Sequence, residues 1–192
     1  MSANRAPARS VSGWPATLRS KPVTLQAVSD LARAPEWLGE AEQAVLGKAP
    51  GCALAPLISS AGAAGASSRN REERTGYWIR VQDEGETLSI GALAASIEVA
   101  STDDEAEGAT LVWQWLAVGA AWRAFGYGGA AVPIVERAAA KRGAKSARVR
   151  VPASNGVALY FWLRLGYRPM SQAAWPAPLS ASAGTWMVRD RL

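Results

Sequence analysis

The residues best placed to do chemistry lie in one run, Leu116-Ala117-Val118-Gly119-Ala120-Ala121-Trp122-Arg123-Ala124-Phe125-Gly126-Tyr127-Gly128-Gly129. An apolar strand ending at Val118 passes into a Gly- and Ala-rich loop and then a helix at about Gly128. Such a junction presents backbone N–H groups with no helical acceptor, together with the positive end of a helix dipole. That is an anion site, and its size suits a pyrophosphate. A side chain at Gly126 or Gly128 would hold a phosphate off the backbone, while Arg123 adds a fixed positive charge. On their own the glycines read equally well as turn residues. The spacing lacks a full G-x-G-x-x-G, and no Gly-Lys-Ser/Thr follows, so neither a dinucleotide fingerprint nor a P-loop is present.

What the chain lacks narrows the chemistry further. It has no histidine and a single cysteine, Cys52. An intrachain disulfide, a Cys/His zinc site and a hydrolase built on a histidine base are all excluded. Any reaction has to run on carboxylates, tyrosine, lysine, backbone amides or water. Cys52 reads as a small buried apolar residue, with no basic neighbour in sequence to activate it.

The elements that would position the junction can be read from hydrophobic period. Val23–Val28 alternates as a first strand. Ser29 or Asp30 caps a helix through Leu31, Trp37, Leu38, Ala41, Ala44 and Val45, and Cys52–Ile58 suits a second short helix. Tyr77–Val81 and Leu88–Ala100 predict two strands joined by a turn at Asp83–Gly85. Thr110–Val118 predicts a strand, Ala130–Arg142 a helix, Ala147–Val151 a strand, Ala158–Leu165 a helix and Thr185–Arg191 a last strand. Pro133 is harmless if the preceding helix starts near Gly129, and should bend it if the helix starts earlier. The pattern is mixed α/β around one sheet, in a chain of one-domain length.

A second signature lies downstream, and the two together carry a family likeness. Arg123-x-x-Gly126-x-Gly128 resembles the Q/R-x-x-G-x-G/A signature of the GCN5-related N-acetyltransferases (GNAT). Val149-x-Val151-x-x-x-Asn155-x-x-Ala158, then Trp162 and Gly166-Tyr167, is similar to that family's V-x-V-x-x-x-N-x-x-A…Y-x-x-x-G-F. Met187–Leu192 is similar to its closing strand. The likeness is strong over about Val112–Tyr167, and the earlier element order is compatible with it.

This resemblance implies a GNAT-like α/β (α+β) domain over residues 21–192, and the biased, basic composition of residues 1–20 reads as a flexible arm. Its sheet would be mixed, mostly antiparallel, of six to seven strands with flanking helices. One parallel pair, Thr110–Val118 and Ala147–Val151, would splay at a bulge to admit pantetheine. The implied cosubstrate is acetyl-CoA or another acyl-CoA. Carried over residue by residue, the backbone of Leu116, Ala117 and Val118 would pair with the pantetheine amides. The amides of Ala124, Phe125, Gly126, Tyr127, Gly128 and Gly129, with Arg123, would hold the pyrophosphate. Asn155, with Ala158 and Trp162 on the same helix, would meet the pantetheine arm. An amine would attack the thioester directly, with the Val118 N–H stabilising the oxyanion. Val118, Asn155 and Trp162 are thus the candidate catalytic positions.

Two departures bear on activity. Trp162 stands where many members carry a tyrosine that protonates the leaving thiolate, and an indole N–H is not an acid near neutral pH. Tyr160 is two residues away and on another face of the helix. Trp113 occupies a position where some members carry a glutamate base, and Gln114 and Glu98 are the nearest polar alternatives. An N-acyltransferase acting on a primary amine is the leading reading. A non-catalytic acyl-CoA-binding or sensor protein of the same fold is the alternative.

Charge adds context. The net charge is +5 and the sequence pI about 9.8. Basic residues gather at Arg137, Lys141, Arg142, Lys145, Arg148 and Arg150, and acidic ones at Asp103, Asp104, Glu105 and Glu107. A basic surface favours anionic partners without choosing among them. The 137–150 cluster reads as a solvated face or as a contact for the 3′-phosphate of coenzyme A. No nucleic-acid reader motif is present, so nucleic acid is the weakest of the partner readings. No apolar run approaches the ~18 residues of a membrane span, and no secretory signal opens the chain, so a cytoplasmic protein is expected. Metal ligation is not expected. The amine acceptor, the acyl length and whether the protein forms a homodimer stay open.

Overall fold

A computed structural model describes residues 22–28, 35, 37–38, 73–99, 108–171 and 184–192. Seven strands form one sheet: β1 (Val23–Ala27), β2 (Glu73–Asp83), β3 (Glu86–Glu98), β4 (Ala109–Val118), β5 (Ala144–Pro152), β6 (Arg168–Pro169) and β7 (Gly184–Arg189). Their order across the sheet is β1-β2-β3-β4-β5-β7-β6. Between strands lie a 3₁₀ turn (Ala120–Trp122) and two helices, α1 (Tyr127–Lys141) and α2 (Gly156–Arg164). The β1–β2, β5–β7 and β6–β7 pairs are antiparallel, whereas β4 and β5 run parallel. The mixed α/β reading and its sheet of six to seven strands therefore hold.

Local chemistry explains the elements. β2 and β3 are joined by Glu84 and Gly85, both at positive φ, the backbone that a two-residue hairpin turn requires. β3 is buried without interruption from Ile90 to Ser96, and β4 from Leu111 to Trp113. Continuous burial means that both faces of these strands are covered. β5 alternates instead, with Ala147, Val149 and Val151 buried and Arg148 and Arg150 half-exposed on the other face.

The described residues fall into two compact units. The first takes β1, β2 from Thr75, β3 up to Ala94, β4 from Trp115, and the chain on to Val132. Its core is Leu38, Trp78, Ala92, Ala94, Trp115 and Ala117, with Val28 and Trp37 packed against it. The second takes β3 from Ala95, β4 up to Gln114, and the chain from Pro133 onward. It buries Leu111, Val112, Trp113, Val135, Ala147, Val149, Val151, Trp162, Tyr167 and Met187.

The parallel pair has a definite extent. After a register shift between Ala109 and Thr110 it runs from Thr110↔Ser146 to Trp113↔Val149. Beyond that last pair β4 continues to Val118 and β5 to Pro152.

Several boundaries differ from the sequence reading. α1 starts at Tyr127, three residues before the expected Ala130, so Pro133 sits inside the helix. β2 extends beyond Tyr77–Val81 at both ends, and α2 starts at Gly156 rather than Ala158. β6, two residues long, carries no periodicity by which it could be expected. The helix expected from Ser29 to Val45 is described only at Pro35, Trp37 and Leu38, the last two helical. The Cys52–Ile58 helix, the 103–107 acidic loop and the arm over residues 1–20 lie outside the described residues. Among the described residues no helix is long and apolar enough to cross a membrane.

Candidate acyl-CoA site

In the first unit the site begins at the end of β4. Gly119 N–H donates to the Ile90 carbonyl at 2.8 Å. Backbone groups alternate sides along a strand, so the N–H of Ala117 shares that side with Gly119. The N–H groups of Leu116 and Val118 point to the opposite edge of β4. At that edge Arg123 Nε donates to the Val118 carbonyl at 2.9 Å. The arginine therefore closes the strand's last acceptor while the Val118 N–H stays on the open edge. Gly91 permits the close approach of β3 here, because a Cβ on it would lie 2.8 Å from the Ala117 carbonyl oxygen.

The loop from Arg123 to Gly126 turns the chain into α1. Ala124 (φ 67°) and Gly126 (φ 83°) both adopt left-handed backbone. Glycine takes this without penalty, whereas alanine costs about 1–2 kcal/mol. The Gly126 carbonyl accepts from Ala130 N–H at 3.0 Å, which makes Gly126 the N-cap. Tyr127, Gly128 and Gly129 then carry the first helical N–H groups, which have no acceptor within the helix. No acidic residue lies in that first turn, so the dipole's positive end has no built-in counter-charge. The buried Tyr127 ring packs on Trp122 and Phe125, each with centroids 6.2 Å away, and anchors the turn. Two successive glycines follow the anchored N-cap, and a Cβ at Gly126 or Gly129 would meet nothing within 4 Å, so the donors there stand without side chains over them. The residues present fit a pyrophosphate.

In the second unit Asn155 is the N-cap of α2. Its Oδ1 accepts from Ala158 N–H at 3.0 Å. Capping commits the oxygen, so Nδ2 is the part of the side chain able to reach a ligand. Trp162 lies seven residues on, two turns down the same helical face, with Ala158 between them. The Trp162 ring is buried, 5.5 Å from Trp113, 4.8 Å from Tyr167 and 5.1 Å from Phe161 between centroids. It is packed as a core aromatic. Tyr160 is exposed, with the Arg164 guanidinium 5.9 Å from its ring centroid.

Neither polar alternative to a β4 base is idle. Gln114 Nε2 donates to Ser96 Oγ at 3.2 Å, and Glu98 forms an ion pair with Arg148. The Arg148 guanidinium also lies 5.7 Å from the Trp186 ring centroid.

Sequence reasoning missed one cluster altogether. Glu136 of α1 is buried, and its Oε1 accepts from the Tyr167 hydroxyl at 2.8 Å. Trp113 Nε1 donates to the same hydroxyl at 2.7 Å, and Arg189 Nη1 donates to Glu136 Oε2 at 2.9 Å. Burial, reinforced by the Glu136 charge, pushes the Tyr167 phenol far above its ordinary range. The Tyr167 hydroxyl therefore keeps its proton throughout the physiological range. The only signal available in sequence is that Gly166-Tyr167 carries a hydroxyl where the family signature has phenylalanine.

Comparisons with known proteins place the family and the fold. Residues 55–167 match the profile of the acetyltransferase (GNAT) family, more than half of the chain. The chain belongs to that family. No curated protein matches it significantly. Among solved structures, Naa50 of Arabidopsis thaliana in complex with the bisubstrate analogue CoA-Ac-MVNAL is similar, with TM-score 0.57 and 16% identity over 88% of this chain and 98% of that one. A domain from Methanocaldococcus jannaschii gives TM-score 0.61 at 13% identity, over 88% of this chain and 97% of that one. A GNAT acetyltransferase from Elizabethkingia anophelis with acetyl-CoA bound gives TM-score 0.54 at 13% identity, over 88% and 98%. At these identities the likeness concerns the fold.

Proposed function

We propose that the protein is an N-acyltransferase that moves an acetyl group from acetyl-CoA to a primary amine by direct attack. The observation that carries this reading is the cradle at the start of α1. Gly126 caps the helix, Tyr127, Gly128 and Gly129 offer N–H groups without helical acceptors, and no acidic residue neutralises the turn. Neighbours whose structures hold acetyl-CoA or a CoA-based analogue support the choice of anion.

In this reading the amides from Ala124 to Gly129, with Arg123, hold the pyrophosphate. The open edge of β4 at Leu116 and Val118 lies along the pantetheine amides, and Ala117 faces β3 between them. By the resemblance, Asn155 Nδ2, left free by the cap of α2, would meet a pantetheine arm, with Ala158 and Trp162 on the same helical face. The neutral amine attacks the thioester carbonyl carbon and the C–N bond forms. The carbonyl oxygen takes negative charge against the Val118 N–H, the C–S bond breaks and thiolate departs. The amine's proton passes to solvent and solvent protonates the thiolate, because the Trp162 indole is no acid near neutral pH. Positioning and oxyanion stabilisation supply the acceleration, and the missing acid forfeits a factor of roughly 10²–10⁴.

Trp162 and Trp113 in place of an acid and a base favour a second reading, an acyl-CoA-binding sensor without turnover. Calorimetry and thermal shift with acetyl-CoA, free coenzyme A and NADH test the binding that both readings share. At 100-fold over its dissociation constant, a ligand raises stability by about 2.7 kcal/mol. Both CoA compounds should do this and NADH should not. Gly126→Asp should abolish the effect while the protein stays folded. Thiol release with a panel of amines then separates enzyme from sensor. Absence of binding at millimolar acetyl-CoA would sink both.

A further inference from the structure

The Tyr167 hydroxyl sits at the centre of a polar chain whose direction is fixed by chemistry. An indole N–H can only donate, so the phenolic oxygen must accept from Trp113 and pass its own proton toward Glu136. The order is Trp113 to Tyr167 to Glu136, with Arg189 donating to the carboxylate from β7 and also reaching the Leu165 carbonyl at 3.3 Å. One hydroxyl thereby ties together β4, α1, β7 and the segment that ends α2. Apolar residues of similar volume would often give such a site equal or greater stability. What the network adds is geometry: the Trp113 ring cannot turn without stranding its N–H, and the Trp162 ring packs against both Trp113 and Tyr167.

We infer that the Tyr167 hydroxyl, anchored on Glu136, is a positioning group that sets the Trp113–Trp162 pair and, through Trp162, the face of α2 that carries Asn155 and Ala158. The inference rests on the acyl-CoA reading above, in which that face meets the pantetheine arm. It gives the hydroxyl no part in proton transfer. It also accounts jointly for the features that depart from the family signature, tryptophan at 162 and a hydroxylated ring at 167, with a third aromatic residue at 113.

The test uses the full chain and three variants. Tyr167→Phe keeps the ring and removes the hydroxyl. Glu136→Gln keeps an acceptor for that hydroxyl but removes the charge. Val81→Ala in β2, buried in the other unit, serves as a control for lost stability. Near-ultraviolet circular dichroism reads the coupled Trp113–Trp162 pair, identified by its loss in Trp162→Phe, and calorimetry reads acetyl-CoA affinity. Tyr167→Phe should change the coupled signal and weaken acetyl-CoA roughly tenfold, the scale of one hydrogen bond. Glu136→Gln should keep the signal and most of the affinity, and Val81→Ala should keep both despite its lower melting temperature. A Tyr167→Phe protein with wild-type signal and affinity would overturn the inference, as would an equal affinity loss in the control. Wild-type protein that fails to bind acetyl-CoA would instead overturn the acyl-CoA reading, and this inference with it.

Discussion

At the scale of single residues the site is defined by where hydroxyls and charges sit. The family signature leads one to look for a tyrosine at 162, and the chain carries its buried hydroxyl at Tyr167. Burial comes first among the causes that raise the Tyr167 phenol, and the Glu136 charge and hydrogen bond add to it. The Trp113 N–H and the Arg189 charge oppose them. The consequence for stability has a definite sign. Below about pH 10, the ordinary tyrosine value, folded and unfolded chains both hold the proton and stability does not depend on it. Above that pH the unfolded chain releases the proton and the folded one does not. Stability should then fall by about 1.4 kcal/mol per pH unit on account of this one group. Urea midpoints of wild type should fall relative to those of Tyr167→Phe as pH rises above about 10, whichever protein is the more stable at neutral pH. Parallel pH profiles would mean that the phenol is not held neutral by the fold. The network itself was not legible in sequence. Glu136 reads there as one charge in a basic, alanine-rich helix, and its partners lie 31 and 53 positions away.

At the scale of elements most of the fold could be read from the chain, because apolar period is a local property. β3, β4, β5 and α2 appear within a few residues of their expected limits. The start of α1 was misplaced for an equally local reason. Gly128 and Gly129 lower helix propensity, yet Gly126 in left-handed backbone caps the helix ahead of them. β6 could not have been anticipated, since two residues pair only because β7 presents an edge to them. The earlier start makes Pro133 the seventh helical residue, where it leaves the Gly129 carbonyl without its helical donor. Pro133→Ala should therefore stabilise the protein. The helix-interior cost of about 3 kcal/mol is partly offset by the freedom alanine returns to the unfolded chain, for a net gain of about 2 kcal/mol. Thermal denaturation checks this, and a lower melting temperature would show that the proline ring is itself packed to advantage.

At the scale of the whole molecule the excess of positive charge becomes an argument about ligands. A net charge of +5 attracts any polyanion, so weak binding of nucleic acid or heparin at low salt would not by itself indicate function. The exposed cations Arg137 and Lys141 lie one turn apart on α1. They belong either to a solvated face or to a contact for the 3′-phosphate of coenzyme A. Comparing coenzyme A with dephospho-coenzyme A on one protein cancels the general attraction and leaves only what the 3′-phosphate contributes. If the cluster meets that phosphate, wild type should favour coenzyme A by about 0.5–1 kcal/mol at low ionic strength, and the preference should shrink as salt screens it. The double variant Arg137→Gln/Lys141→Gln should then bind the two ligands alike, while keeping the affinity that the α1 cradle provides. If the variant loses affinity equally for both ligands, the cluster acts only through the overall field. If neither affinity changes, Arg137 and Lys141 are solvated charges, and recognition of the cosubstrate rests on the backbone amides at Gly126–Gly129.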